Sequence, residues 1–222
     1  SISVFSSSIK KEKIDFPVNK FNEVIKKYKY FTKKLSVKKK QISFKEMRGW
    51  KNLDKKIYDI KKKFFSIICL QIEANSREVN NWAQPIISDH SWSFNGFLCK
   101  KINKTNHYLL RCVLEPGFKK PKFTSTVSIK NFSYSNKKNK YLNFFRKKSN
   151  VELDVTNSDE GGRFYKNETR NMIVFLKNQK KEKFPKNFIW VSHNQLVELI
   201  NKNLLSIEAR NLFASFNIDK IK

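Results

Sequence analysis

The chain has few cysteines and no long apolar run. Its three cysteines, Cys69, Cys99 and Cys112, lie in apolar, strand-like segments, and their spacing fits neither a disulfide framework nor a zinc site. We expect them to be reduced thiols in the core of a cytoplasmic protein. No apolar run approaches the length that spans a bilayer, and the charges at the start follow the apolar patch instead of preceding it. We therefore expect neither a membrane span nor a secretory signal.

Several catalytic signatures are also missing from the sequence. It contains no Walker-type phosphate loop, no GxGxxG, no nucleophile elbow, no HExxH and no cysteine pair for zinc. These absences leave a cofactor-free acid–base reaction or a binding function. We expect no metal and no cofactor.

Acidic residues are scarce as well, which gives the chain a formal net charge of +28. Such a charge suggests nucleic acid or another anionic partner. However, 40 of the 47 basic residues are lysine, a bias that codons rich in A and T produce without selection for binding. The charge is also spread out, with +14 in residues 1–63 and +14 in the remainder, and it has no single concentrated tail. Nucleic-acid binding is therefore kept as an alternative and is not the leading interpretation.

The hydrophobic content and the helix and strand patterns of the sequence predict one folded α+β domain. Hydrophobic residues make up 39% of the chain and aromatic residues 14%, enough for a single core. Residues 19–35 show the spacing of an amphipathic helix. Short β runs follow, at 64–74, 82–87, 96–102, 107–117, 125–135, 151–155, 171–176 and 187–192, with a short helix in 139–145. Ser192 with Gln195 forms a capping-box pattern, and Ser206 can cap a last helix. We divide the chain into a basic N-terminal helical segment, 1–45, and one domain, 46–222.

The first candidate site lies in "HYLLRCVLEPG", residues 107–117. In a strand, Tyr108, Leu110 and Cys112 share one face, which predicts a core face. The other face carries His107, Arg111 and Glu115, which suit acid–base chemistry. The alternative is a half-exposed strand on which Arg111 and Glu115 form an ordinary ion pair.

Two further stretches offer binding residues. "REVNNWAQPII" contains Trp82 and Gln84 just before Pro85, which predicts an edge or bulged strand. "SDEGGRFYKNETRNM" places adjacent glycines, which suggest positive φ or a close backbone approach, before side chains that bind phosphate or stack on flat rings. Its candidate residues are Gly161, Gly162, Arg163, Tyr165, Arg170 and Asn171. The alternative is a glycine-rich hairpin with solvated charges.

Taken together, these stretches resemble the NDP-hexose 2,3-dehydratase family of deoxysugar biosynthesis. The matching landmarks, in order, are "GW" (49–50), "FFSI" (64–67), "REVNNWAQPII" (77–87), "HYLLRCVLEPG" (107–117), "TV" (126–127), "YLNFF" (141–145), "SDEGGRFYKNETRNMIV" (158–174), "FIWVSHNQL" (188–196) and "NLLSIEAR" (203–210). Their order and spacing extend through residues 48–215.

The resemblance implies a fold, an assembly and a reaction. Family members are similar to tandem pairs of repeats, each with a Nudix-like mixed sheet and flanking helices. This chain has the length of one repeat, which implies a homodimer or a pair with a second half-length chain. The implied reaction is cofactor-free loss of the C2 hydroxyl from a dTDP-4-keto-6-deoxyhexose. The residue types on the predicted strand face suit this reaction, so we expect Glu115 as base or acid, His107 as its counterpart and Arg111 near the oxyanion, although one extended strand cannot bring all three to one carbon.

The glycine-containing stretch and Trp82 supply our candidates for the nucleotide end. Arg163, Tyr165, Arg170 and Asn171 are expected to hold it, with Trp82 or Tyr165 stacked on the thymine and Gly161 and Gly162 allowing close approach. The chain departs from the usual family pattern at Arg111, Val113, Lys122 and Ser128. A nucleotide-sugar-binding homologue with no activity or a shifted substrate is therefore a second alternative.

Overall fold

A computed structural model of the chain describes residues 11–61, 63–89, 93–130, 139–146, 150–176 and 183–218. Its helices are α1 (Phe21–Lys34), α2 (Leu142–Arg146), α3 (His193–Asn201) and α4 (Ile207–Ile218), with a 3₁₀ turn at Phe44–Glu46. Its strands are β1 (Trp50–Leu53), β2 (Lys56–Asp59), β3 (Ser66–Glu73), β4 (Asn81–Ser88), β5 (Ser93–Ile102), β6 (Thr105–Val113), β7 (Lys122–Thr124), β8 (Val127–Ile129), β9 (Val151–Ser158), β10 (Glu168–Phe175) and β11 (Phe188–Ser192). The predicted α+β class, with a mixed sheet and flanking helices, is confirmed.

The smaller sheet is an antiparallel meander of four strands in the order β1-β2-β3-β4. Pro85 lies in β4, at the edge of this sheet, as its missing N–H predicts. On its outer side β4 contacts the loop before β10: the Ile87 amide donates to the Arg163 carbonyl (2.9 Å), and the Tyr165 amide donates to the Ile87 carbonyl (2.8 Å). The small sheet is therefore attached directly to the glycine-containing loop.

The larger sheet has seven strands. Its main path is β11-β6-β5-β10-β9, with β7 paired to β6 and β8 paired to β5. The β5–β10 pair is parallel, and the other strand pairs described in this sheet are antiparallel. The sequence correctly predicts most of these strands, whereas it does not predict the short strands β1, β2 and β7. The part of the predicted run 125–135 from residue 131 onward lies outside the described residues.

The two central strands of the larger sheet separate halfway along their length. β5 and β6 pair as a hairpin from Cys99 to Tyr108, after which β5 pairs with β8 and β6 pairs with β7. Thr126, between β7 and β8, fills the point of separation. Its hydroxyl accepts from the Leu98 amide (2.9 Å) and donates to the Leu109 carbonyl (2.6 Å). Because the strands diverge here, the Leu98 amide and the Leu109 carbonyl cannot bond to each other. The Thr126 hydroxyl gives each of these buried backbone groups a hydrogen-bond partner.

The central strands β5 and β6 of the larger sheet are largely buried on both faces. Tyr108, Leu110 and Cys112 join the main core, which also takes residues from α1, α3 and α4, so the predicted core face of β6 is confirmed. The opposite face is buried at His107 (0% exposed) and Leu109 (1%) and partly exposed at Arg111 and Val113, so the alternative of a half-exposed strand fits only the second half of β6. A second cluster that includes residues of α2 covers Leu109, and backbone from the N-terminal segment covers His107.

The helices agree closely with the sequence patterns. α1 buries Val24 and Phe31 in the main core, as expected for the amphipathic segment 19–35. The capping box predicted for α3 is present, because the Ser192 hydroxyl and the Gln195 side chain each bond the other residue's backbone. The Ser206 hydroxyl accepts from the Ala209 amide at the start of α4. Hydrogen-bonding side chains therefore define where both C-terminal helices begin.

One prediction about the cysteines is wrong. Cys99 and Cys112 are buried, but Cys69 is exposed. β3 alternates, with Cys69, Gln71 and Glu73 on its exposed face. An apolar run alone does not reveal this alternation, because Ile and Leu residues fill the neighbouring positions. Within the described ranges, no helix has the length and apolar character needed to cross a membrane.

The contact at Thr126 can be tested directly. Thr126→Val keeps the shape but leaves the Leu98 amide and the Leu109 carbonyl buried without partners. We expect a loss of about 2–5 kcal/mol in the free energy of unfolding, measured by urea denaturation. Thr126→Ser keeps the hydroxyl and loses one methyl group, so it should cost about 1 kcal/mol. An equal loss in the free energy of unfolding for the two variants would show that the Thr126 hydroxyl does not stabilise the point where β5 and β6 separate.

Candidate active site

His107 lies inside the protein with both ring nitrogens engaged. Nδ1 is 3.0 Å from the Thr105 carbonyl, and Nε2 accepts from the Val18 amide at 3.0 Å. Together the two contacts select the neutral tautomer with the proton on Nδ1. Burial lowers the pKa of His107, which favours the same neutral form. In this arrangement His107 anchors the N-terminal segment to β6, and neither nitrogen is free to act with Glu115.

Glu115, at the other end of the same strand, lies in a group of charged side chains. It follows β6 by two residues and is half buried. Burial raises the pKa of Glu115, and the nearby negative charge of Glu208 raises it further, while Lys130 and Arg111 act in the opposite direction. A carboxyl group in this setting tends to hold its proton, which is the property required of a general acid.

Glu208 is the second carboxylate of this group and lies in the first turn of α4. Its Oε1 is 3.6 Å from the Lys130 ammonium. Its Oε2 is buried and has no hydrogen-bond partner among the described residues. The backbone of Glu208 is held in place because the Asn95 side chain donates to its carbonyl oxygen at 2.7 Å. The site therefore contains two acidic groups in unlike surroundings.

Arg111 supplies a cation on the same strand as Glu115. Its guanidinium is largely buried, which lowers the pKa of Arg111, while the Glu115 carboxyl and the Tyr141 hydroxyl raise it. The Arg111 Nε is buried without a hydrogen-bond partner in the described part of the chain. Since arginine keeps its charge in proteins, this N–H can donate to a developing oxyanion.

Trp82 and Gln84 form a second group, on the edge strand β4. The Trp82 indole N–H donates to the Gln84 side-chain oxygen (2.8 Å), and the Gln84 amide donates to the Gly162 carbonyl (2.9 Å). Trp82 is partly exposed, and Tyr165 is 36% exposed on the same attached loop. The structure therefore brings the predicted residues of two distant sequence stretches into one place.

The glycine pair in this loop does not have the geometry that its sequence suggested. Neither Gly161 nor Gly162 has a positive φ, and a Cβ at either position would meet open space. Lys166, with φ 52°, takes the left-handed conformation instead. Arg163 is exposed and forms an ion pair with Glu160 at 2.8 Å. Because neither glycine has a side chain, the backbone at Gly161 and Gly162 is uncovered next to the exposed Arg163 guanidinium.

Arg170 and Asn171 are not part of this loop group. The Arg170 guanidinium makes two hydrogen bonds to the Asp154 carboxylate across β9 and β10, at 2.7 and 2.6 Å, and these bonds raise the pKa of Arg170. Asn171 is 4% exposed and points the opposite way, within 3.3 Å of the Asn95 amide. Arg170 thus joins two strands, whereas Asn171 lies beside the Asn95–Glu208 contact.

The four positions that depart from the family pattern lie where the central strands separate. Arg111 and Val113 are on β6, Lys122 pairs with Val113 on β7, and Ser128 pairs with Asn95 on β8. The Lys122 ammonium donates to the Asn203 side chain at 3.0 Å, and burial lowers its pKa. Two of the departures thus lie on β6 shortly before Glu115, and the other two lie on the strands that pair with the separated parts of β6 and β5.

Sequence reasoning did not select Glu208, Lys130 or Asn95. The Ser206 cap was a usable signal, since it places Glu208 in the first turn of a helix, where a carboxylate is favoured. No local pattern indicates that Asn95 reaches this turn. Within the described ranges, no group of three or more His, Cys, Asp or Glu side chains could hold a metal ion.

The surroundings of Glu115 predict a measurable effect on stability. Its folded pKa lies above its unfolded pKa, so its stabilising contribution is complete below the unfolded pKa and is lost as the pH rises through the folded pKa. Glu115→Gln stays neutral and should melt roughly 2 °C higher than the wild type at pH 7, with no difference near pH 4. Thermal melts at both pH values measure this.

The matched control is Glu198→Gln, which removes an exposed carboxylate paired with Lys202 on α3. We expect little change in its melting temperature. A lower melting temperature for Glu115→Gln at pH 7 would show that Arg111 and Lys130 hold Glu115 as a stabilising anion.

Comparison with solved structures gives distant similarities. An Ap4A hydrolase of C. elegans matches with a TM-score of 0.37 and 10% identity, covering 61% of this chain and 98% of that one. The NUDIX domain of Shewanella oneidensis NrtR, complexed with ADP ribose, matches with a TM-score of 0.35 and 9% identity, covering 60% and 88%. At these scores neither structure carries an argument about this chain.

Comparison of sequences gives a clear result. A dTDP-4-dehydro-6-deoxy-alpha-D-glucopyranose 2,3-dehydratase of Saccharopolyspora spinosa is 30% identical over 177 residues, which cover 76% of this chain and 36% of that protein. The enzyme of the same name from Streptomyces violaceoruber is 29% identical over 174 residues, covering 75% and 39%. The chain thus spans less than two fifths of the length of each of these two relatives. The model of the family described as NDP-hexose 2,3-dehydratase matches residues 21–216, and the chain belongs to this family.

Proposed function

We propose that the chain catalyses removal of the C2 hydroxyl from a dTDP-4-keto-6-deoxyhexose. The observation that carries the proposal is the family match across residues 21–216, which includes every residue of the two groups described above. The names of these relatives supply the reaction and the sugar. The Glu115 group supports the proposal, because it contains the acid, the second carboxylate and the cation that such an elimination needs.

The chemistry requires movement of protons and release of water. The C4 ketone acidifies the proton at C3, and its removal gives an enolate with negative charge on the C4 oxygen. The C2 hydroxyl then leaves as water after it receives a proton, which gives an enol. Tautomerisation of the enol yields a 3,4-diketo sugar. The protein must therefore supply a base, an acid and a donor to the enolate oxygen.

We assign two of these roles within the Glu115 group. Glu115 tends to keep its proton, so we propose that it protonates the leaving hydroxyl. Arg111 has a buried N–H without a partner among the described residues, so we propose that it donates to the oxyanion at C4. His107 has no free nitrogen in this arrangement, and we propose a structural role for it in place of the acid–base role.

We propose that the nucleotide lies on the loop group. Trp82 and Tyr165 offer partly exposed rings for the thymine. Arg163, beside the uncovered backbone at Gly161 and Gly162, can turn from Glu160 to a diphosphate oxygen. β10 leads from this loop towards Asn171, and its first three residue steps cover about 10 Å. This spacing suits a nucleotide at the loop and a sugar near Glu208.

A substrate-shifted homologue is the second candidate. The observation that favours it is that the departures Val113 and Lys122 pair across β6 and β7, two residues before Glu115, while Ser128 pairs with Asn95, which contacts Glu208. A change in several neighbouring side chains alters the shape and polarity that the sugar meets. The same acid–base group could then act on another keto sugar.

We also propose that the chain forms a homodimer. Exposed apolar side chains lie on and near the small sheet, including Leu53, Phe64 and Phe65, and Phe64 stacks on Trp50 with ring centroids 6.3 Å apart. Because each copy carries +28, salt should strengthen the dimer by screening. Sedimentation equilibrium at about 50 and 500 mM NaCl tests this. A monomer at both salt concentrations would contradict the homodimer.

Turnover of dTDP-4-keto-6-deoxyglucose tests the proposed reaction. The diketo product is trapped with an added 3-ketoreductase and NADPH, and the sugar is analysed by mass spectrometry and NMR. We expect the wild type to release the C2 hydroxyl and Glu115→Gln to be slower by about 10²- to 10⁴-fold. Glu198→Gln, on the exposed face of α3, should react at the wild-type rate.

The outcomes separate the candidates. Loss of water from another dTDP-keto sugar, with this sugar unchanged, would favour the substrate-shifted homologue. An unchanged sugar in every case, despite tight dTDP binding, would contradict catalysis and leave a binding function.

A further inference from the structure

An elimination of this kind needs a base to remove the C3 proton and an acid to protonate the leaving hydroxyl. Glu115 can fill only one of these two roles in the elimination step. The described structure places one other carboxylate in electrostatic contact with Glu115, which is Glu208. The two residues are 93 positions apart in the sequence, and they meet because α4 begins beside the end of β6.

Two positive features of the fold lie beside the Glu208 carboxylate. Its Oε1 lies 3.6 Å from the Lys130 ammonium, and its position in the first turn of α4 places it at the positive end of the helix dipole. Its Oε2 is buried, yet it accepts no hydrogen bond from any residue that the structure describes. A buried carboxylate oxygen without a donor has lone pairs that are not engaged, so it can accept a proton from a bound substrate.

Glu208 is also held firmly by contacts that do not use its carboxylate. The Asn95 side chain donates to the Glu208 carbonyl (2.7 Å), and Asn95 itself accepts from the Ser125 hydroxyl. The Ser206 hydroxyl caps the same turn and also donates to the Thr124 hydroxyl (2.9 Å). The backbone at Glu208 is therefore fixed by β5, β7 and the β7–β8 connection, so a change at the carboxylate leaves its support intact.

We propose that Glu208 is the base that removes the C3 proton, while Glu115 is the acid that protonates the leaving C2 hydroxyl. The assignment rests on the proposed function and adds a catalytic residue to it. In the first step the C3–H bond breaks and its proton passes to Glu208 Oε2. In the second step the C2–O bond breaks, and the hydroxide leaves as water with the proton of Glu115.

The same pair can return to its starting state during tautomerisation. After elimination, Glu208 carries a proton and Glu115 is ionised. The enol receives the Glu208 proton at C2 and loses its hydroxyl proton to Glu115. The products are the 3,4-diketo sugar and one water molecule, no electrons are transferred to or from the protein, and both carboxyl groups regain their original protonation.

The test follows deuterium in the sugar in D₂O, using the full chain and dTDP-4-keto-6-deoxyglucose. The carboxyl proton that Glu208 takes from C3 exchanges with D₂O before it is delivered, so the wild type should yield a product with deuterium at C2. Glu115→Gln should exchange the C3 proton of the substrate for deuterium while elimination slows by about 10²- to 10⁴-fold. Glu208→Gln should lose both C3 exchange and elimination by similar factors. Reactions without protein correct for spontaneous exchange.

Controls separate chemistry from folding. Glu208→Gln keeps the backbone contact with Asn95 and should retain the wild-type far-UV spectrum and dTDP affinity, and Glu198→Gln should keep full activity. A wild type that turns over normally together with a Glu208→Gln variant that exchanges C3 within threefold of wild type would overturn the Glu208 assignment alone. A wild type that leaves the sugar unchanged would overturn the proposed function and, with it, this assignment.

Discussion

The Thr126 hydroxyl holds the point at which the two central strands separate, and the position of the site depends on that separation. In an ordinary hairpin the Leu98 amide and the Leu109 carbonyl would pair with each other. Here the hydroxyl stands between them and bonds both, at 2.9 and 2.6 Å. The strands can therefore diverge inside the core without the cost of unpaired backbone groups. β7 and β8 occupy the opening, and each pairs with one of the separated strands.

This separation explains why charged residues lie so close to the core. β7 receives the turn before α4, since the Phe123 amide donates to the Leu204 carbonyl and the Ser206 amide donates to the Phe123 carbonyl. α4 therefore begins beside the end of β6, which brings Glu208 to Glu115. Two carboxyl groups in partial burial are unfavourable for folding unless one keeps its proton. The pair of carboxyl groups therefore lowers the stability of the fold, as is common where a site needs acid–base chemistry.

Local sequence patterns predicted the elements well and the site only partly. The capping box at Ser192 and the edge position of Pro85 follow from local backbone chemistry, so they could be read from neighbouring residues. His107 looked like a partner of Glu115 because alternation puts both on one strand face. Alternation could not show that backbone at Val18 would cover that histidine. Glu208 was missed because its contact with Glu115 depends on the tertiary path through β7.

A crystal structure of Glu115→Gln with bound dTDP-4-keto-6-deoxyglucose would test the central claim most directly, namely that one continuous site joins the loop group to the Glu115–Glu208 pair. The account predicts thymine against Trp82 or Tyr165, the diphosphate at Arg163, and the C2–C3 edge of the sugar against residue 115 and Glu208. A sugar ring bound away from both of these residues, with the nucleotide elsewhere than the glycine-containing loop, would contradict it.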